Sequence, residues 1–460
     1  MSRFINAALR ISVLALGLLA VRAASGLSPD QSHAGCQVRP TSFEGWKTEE
    51  LFNDWVHVTI VPQLGGRVMQ VRFGDHDYLF VNPRYKGQYI PPADAAKAGR
   101  WINYGGDKLW PLPEGEGDAE HWPGPVSDVL DDGEYSFRVV SERPACTVRL
   151  DGAPDPATGL QFSREITISG SSPEISFHAE VKNASDHPIR WSVQSVTQYD
   201  TADAQDRTRY NHDFWAFAPA NPMSAFVDDY FVRAGLADDP SFSVKDGWFT
   251  LHWLYLENEV WLDSDAGWIA IVDDTAHFGM IEKFYYDKNA DYPGRASVIF
   301  YKNGGALELD ENGMPRLRSS DPQRAPYYME AELNSPMIRL EPRASFAFDT
   351  RWYPVRAGKN LKSVNAAGVV EAPLTAVPDK KELRLSGKFG IFFPGNLSVR
   401  LFDARGGEHD VALGAVDPLQ AVQLGRVIQA PSEIVRVALH LNDAQGADLG
   451  VLSEVEVRRP

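Results

Sequence analysis

The sequence predicts an all-β protein, large stacked sheets followed by a small β-sandwich, on three observations. No stretch sustains an apolar period of 3.6 residues, several runs alternate with period two, and Gly/Pro-rich turn signals recur throughout. Val56–Val61 is β-branched and bounded by Pro62 and Gly65-Gly66. Residues 135–140 and 174–181 alternate as half-buried strands do, while 267–272 and 296–301 read as interior strands. So long a β pattern calls for large sheets packed face to face. A composition shift near residue 358 marks a boundary. All 12 Trp lie between Trp46 and Trp352, and the last Tyr is Tyr353. Beyond it, 381–386, 397–402 and 435–441 read as the lighter strands of a small sandwich. The expected domains are 43–356 and 359–460, the second a structural appendage.

The start of the chain resembles a secretory leader. Arg3 and Arg10 are followed by an apolar run over 11–19 and then by small residues, which predicts a signal peptide over 1–24 and a flexible lead-in over 25–42. That run is too short to span a bilayer, which takes about 20 residues. The protein is expected to be exported, periplasmic or extracellular, with no membrane span. Two uses compete for Cys36. Ala34-Gly35-Cys36 ends like a lipoprotein cleavage box, and an oxidising compartment permits a disulfide with Cys146, the only other cysteine. The chain carries 45 basic and 62 acidic residues, a net charge of −17 that becomes −20 once Arg3, Arg10 and Arg22 leave with the leader. Nucleic acid and anionic membranes need a basic footprint, so neutral ligands are favoured.

The segment 101–115 is the most informative. It holds Trp101, Tyr104 and Trp110, the pair Gly105-Gly106, and Asn103, Asp107 and Lys108. Flat rings beside planar amides and charges suit a sugar, whose C–H faces stack while its hydroxyls demand directional hydrogen bonds. Glycines let a backbone approach a ligand closely. The competing reading is a buried loop plugged by Trp101 and Trp110. Signatures of metal, phosphate, dinucleotide and serine-hydrolase sites are absent, so no metal and no cofactor are expected. Residues 310–313 resemble part of a calcium loop but lack its other ligands, and read as a turn.

Four motifs, taken in order, resemble the galactose-mutarotase-like (aldose 1-epimerase-like) superfamily, and within it a secreted branch, the DUF4380 family. They are 51–67 with its Gly65-Gly66-Arg67 turn, followed by 78–83; Asn103-Tyr104-Gly105-Gly106-Asp107-Lys108-Leu109-Trp110-Pro111; the Asn183, Asp186, Pro188 and Trp191 turn; and 329–336 with 340–345. Over 43–356 the resemblance implies a β-supersandwich with a sugar in a concave cleft.

It also implies a chemistry. A mutarotase takes a proton from the anomeric hydroxyl and gives one to the ring oxygen, which requires a general base and a general acid. The family's base matches Glu330 or Glu332, whose i, i+2 spacing on a strand points both to one face. Together in a cleft, repulsion between them would raise one pKa, which suits a proton-transfer role; on an exposed edge they would simply be solvated. The family's acid, a His, falls near Val196, flanked by Gln194 and Gln198, and its His-Gly-Gly element has become Tyr104-Gly105-Gly106. Tyr104 and Lys108 are the substitute acids to test, and His212 and His252 stand further off. Arg67 is either a clamp on sugar hydroxyls or a uronate carboxylate, or the partner of an acid. Asn103, Asp107, Trp110, Gln194 and Gln198 complete the predicted binding set. Three readings follow: a carbohydrate-binding protein, neutral or uronic-acid sugars being its partners; an epimerase-type enzyme using Glu330 or Glu332; and a structural envelope protein with a vestigial cleft.

Overall fold

Period-two alternation becomes strand after strand in the computed structural model, which describes residues 35–99, 101–115, 120–125, 129–305, 307–309, 315–317, 326–431 and 433–457. The leader expected over 1–24 and the turn expected over 310–313 lie outside these residues. The first large sheet contains β1 (Gln37–Phe43), β2 (Trp46–Phe52), β3 (Val56–Val61), β4 (Arg67–Phe73), β5 (Asp107–Leu112), β6 (Ile189–Asp200), β7 (Phe231–Gly235), β8 (Asn258–Leu262), β9 (Val298–Lys302) and β10 (Tyr328–Asn334). Their spatial order is β1-β2-β3-β4-β5-β6-β10-β9-β8-β7, with short strands His76–Asp77 and Ile338–Leu340 attached. A second sheet of ten strands runs from Phe242–Lys245 at one edge to Ser136–Ser141 at the other. Side chains of both sheets form one core, in which Val58, Val193 and Leu333 of the first join Ile166, Phe177 and Met280 of the second. Removing this apolar surface from water is the main force holding the sandwich.

The sheet begins earlier than expected. Gln37–Phe43 falls largely inside the stretch read as a flexible lead-in, yet it pairs with Trp46–Phe52 along its whole length. Its residues are mostly exposed, so pairing rather than burial orders it; Arg39 adds a hydrogen bond to Glu50 at 2.7 Å. Just before it, Cys36 is joined to Cys146 with Cα atoms 5.8 Å apart. A sulfur in a disulfide carries no lipid, which removes the lipoprotein use of Cys36. No helix among the described residues is long and apolar enough to cross a membrane.

After the last strand of the second sheet, Ser345–Arg356, two four-stranded sheets form the small C-terminal sandwich around Leu385, Phe389, Val399, Leu401, Leu439 and Leu441. Tyr353 and Val355 meet Val369 and Phe392 in a separate apolar cluster that joins the two sandwiches.

One polar network is sealed between the large sheets. Tyr199 of β6 donates its hydroxyl to Glu282 at 2.5 Å, and Arg164 is ion-paired with Asp107, which also accepts from Thr197 at 3.0 Å. Burial pushes Glu282 up to about 8. The folded protein therefore holds a proton there, between the ordinary glutamate range and pH 8, that the unfolded chain releases. This contribution to stability is complete below about pH 4.5 and is lost as pH rises to about 8, at a cost on the order of a few kcal/mol. Urea melts at pH 5 and pH 8 are expected to show that fall. Glu282→Gln, which keeps the acceptor for Tyr199 but does not titrate, is expected to flatten it; an unchanged slope would remove Glu282 as its cause.

Candidate functional site

Strand β6 decides which side chains meet. Tyr199 reaches the second sheet, so the odd-numbered residues of β6 face the core and Gln194, Val196 and Gln198 point the other way. Register then builds rows across three strands: Lys108, Val196 and Glu332 in one, Trp110, Gln194 and Asn334 in the next, with Gln198 opposite Glu330. Glu330 and Glu332 thus lie on one face. They are 5% and 7% exposed, which leaves a ligand only a narrow edge of each.

The two carboxylates have different surroundings. One oxygen of Glu330 accepts from Lys108 Nζ at 3.3 Å and from Gln198 Nε2 at 2.5 Å. Glu332 accepts from Gln194 Nε2. Burial, reinforced by the charge of Glu330, pushes Glu332 well above the usual carboxylate range, against the opposing pull of Lys108. Two further carboxylates join them electrostatically. Glu114 is raised to about 7 by burial and then by the charges of Glu259 and Glu330, and Glu259 is raised by burial. Neither was in the predicted set. Glu259 shares a two-residue alternation with Trp261, and Glu114 closes the Trp-rich segment; those were the available signals. Among the described residues no group of His, Cys, Asp or Glu is arranged to hold a metal ion.

Aromatic rings flank this face. Lys108 Nζ lies 4.4 Å from the centre of the Trp110 ring and 5.6 Å from that of Trp101. Both indole N–H groups donate to Asp131, at 2.8 Å from Trp101 and 2.6 Å from Trp110. Asn103 accepts from the Gly105 N–H at 3.1 Å through its side chain, and its backbone carbonyl accepts from the Asn82 amide at 2.8 Å.

Three predicted residues are not brought to this face. Arg67 is wholly buried, 2.8 Å from Asp131 and 3.3 Å from Asp132, so it is no clamp for a ligand. Tyr104 accepts the Ile90 N–H at 2.9 Å and packs edge-on against Trp46 and Tyr85; burial first of all lifts it to about 12, which makes it no acid for this site. Asp107, one residue from Lys108, points by strand alternation to the opposite face and is the partner of Arg164 between the sheets. The glycine pair has a different reason too. A Cβ on Gly105 would lie 2.1 Å from the Phe80 carbonyl oxygen, and one on Gly106 2.6 Å from that of Val68, so both admit neighbouring backbone rather than a ligand. His252 stacks on Trp215 at 4.1 Å and donates to the His212 carbonyl at 2.8 Å, on the second sheet's side of the molecule.

No protein-family model matches this sequence, and no curated protein does. Among solved structures, a galactose mutarotase-like protein from Clostridium acetobutylicum is similar over 70% of this chain and 99% of its own, with 11% identity and a TM-score of 0.43. One from Lactobacillus casei is similar over 69% of this chain and 100% of its own, with 9% identity and a TM-score of 0.40.

Proposed function

We propose that this protein binds a carbohydrate on the outer face of the first sheet and exchanges protons with it through Glu330 and Glu332. One observation carries the reading: two neighbouring glutamates share a face, one paired with a lysine, the other pushed by burial well above the usual carboxylate range. Groups whose surroundings push their protonation apart are suited to paired acid and base roles. In such a pair Glu330 takes the proton of the anomeric hydroxyl while Glu332 gives its proton to the ring oxygen. The bond between C1 and the ring oxygen breaks, leaving a C1 carbonyl and a free ring hydroxyl. Rotation about C1–C2 and the reverse transfers close the other anomer and return both protons. Glu332 then does what the histidine replaced by Val196 would do. Trp101 and Trp110 supply stacking surface, and Gln194 and Gln198 orient the carboxylates.

Binding without turnover is the second reading, favoured by the two glutamine amides that already occupy Glu330 and Glu332. The motif order supports the DUF4380 branch, and the disulfide supports a working place outside the cytoplasm. Ligand-observed saturation-transfer NMR with neutral sugars, uronic acids and short oligosaccharides, combined with exchange spectroscopy, tests the proposal. Transfer with accelerated α/β exchange is the expected result. Transfer without acceleration supports binding alone, and no transfer from any sugar overturns both readings.

A further inference from the structure

The row of side chains through Glu332 continues beyond the carboxylates. Phe231 of β7, Trp261 of β8 and Ile299 of β9 stand successively opposite one another and end on Glu332 of β10. Trp261 is therefore two strand spacings, about 10 Å, from Glu332. At that end lies a cavity of about 620 Å³ lined by Phe226, Phe231, Arg233, Trp261, Gly294 and Arg295.

The cavity is built rather than incidental. Trp261 donates its indole N–H to Glu259 at 2.5 Å, and its ring lies so close to residue 294 that a Cβ there would sit 1.9 Å from it. Phe226 stacks on Phe231 with centroids 6.0 Å apart. The loop carrying Phe226 is tied down by Asp263, which accepts from Ser224 Oγ at 2.8 Å and from the Ala225 N–H at 2.7 Å. Arg233 and Arg295 are exposed and form no ion pair among the described residues, although acids outnumber bases in the chain. Arg233 is near enough to the carboxylates for its charge to act on both Glu114 and Glu259. Two free guanidiniums beside fixed aromatic faces are a recognition surface for a ring that carries a carboxylate.

We propose that this cavity is a second subsite, for a uronic-acid unit of an oligosaccharide whose neighbouring unit lies over Glu330 and Glu332. The proposal rests on the sugar reading of that face. Arg233 and Arg295 bind the uronate carboxylate, its ring stacks on Trp261, and the arrangement keeps the ligand's charge away from the four glutamates. It also supplies the local positive charge that an anionic sugar needs on an acidic protein.

Disaccharides of one uronic-acid unit joined to one neutral sugar, and their methyl esters, which share a shape and differ in a single charge, are the probes. By calorimetry at low salt the acids are expected to bind about tenfold or more tightly than the esters, the worth of one to two charge-assisted hydrogen bonds. The preference should shrink with added salt. The double variant Arg233→Gln, Arg295→Gln, altered only at exposed positions, is expected to lose that preference and keep its affinity for the esters. Acids and esters bound equally by the native protein would overturn the subsite and leave the sugar site standing. A preference that survives in the double variant would also overturn it. Failure of every sugar to bind would overturn the subsite together with the reading it rests on.

Discussion

Glu332→Gln is expected to abolish accelerated anomer exchange while leaving sugar affinity nearly unchanged. Glutamine has the shape of the protonated acid and keeps an oxygen to accept from Gln194, so the face should survive the change. What it lacks is a proton to give near neutral pH. Losing one partner of an acid–base pair costs about 10²–10⁴-fold in rate. Glu330→Gln should lose the rate as well, but it also strips the counter-charge from Lys108, which is 2% exposed. Some of its effect will therefore appear as lost stability, which makes Glu332 the cleaner position. The wild-type rate should also fall as pH rises through the elevated pKa of Glu332, because only its protonated form can act as the acid. A Glu332→Gln protein that exchanges anomers at the native rate would remove the residue from the chemistry. Unchanged binding with no exchange in either protein would favour binding alone.

Parity along a strand was legible in the sequence, and register between strands was not. The shared face of Glu330 and Glu332 follows from their spacing alone, and so does the opposition of Asp107 to Lys108, which keeps the two out of one site. Glu259 enters only because β8, β9 and β10 pair so that Glu259, Tyr301 and Glu330 align, a fact of pairing spread over some seventy residues of chain. Arg67 illustrates the same limit. Its partners Asp131 and Asp132 lie in a turn-rich stretch far downstream, and nothing beside Arg67 announces them. The two adjacent glycines were visible as a backbone requirement, but strand contact and ligand contact make the same demand for a missing Cβ. The first strand was missed because Gln37–Phe43 is polar and lies at an edge, where pairing replaces the apolar signal that sequence reading relies on.

Arg67→Met is expected to destabilise the fold by about 3–5 kcal/mol, the usual cost of removing one member of a buried ion pair. Arg67 is fully buried and faces two adjacent acids that are also buried. Burial, with the neighbouring charge of Asp131, lifts Asp132 to about 8, so at neutral pH the arginine mainly balances Asp131. Methionine fills much of the space but leaves that carboxylate alone in the interior. The defect should therefore depend on pH. A carboxylate left alone in the interior costs most while it is charged, so the gap between variant and wild type should narrow as pH falls. Denaturant melts of both proteins from pH 8 to pH 5 separate this cause from simple mispacking, which would give a constant gap. The same carboxylate holds the indoles of Trp101 and Trp110. Sugar affinity is thus expected to weaken in Arg67→Met although Arg67 touches no ligand, making it a positioning residue for the site. A variant that is destabilised equally at all pH values and binds sugar normally would break that link between the buried arginine and the tryptophan face.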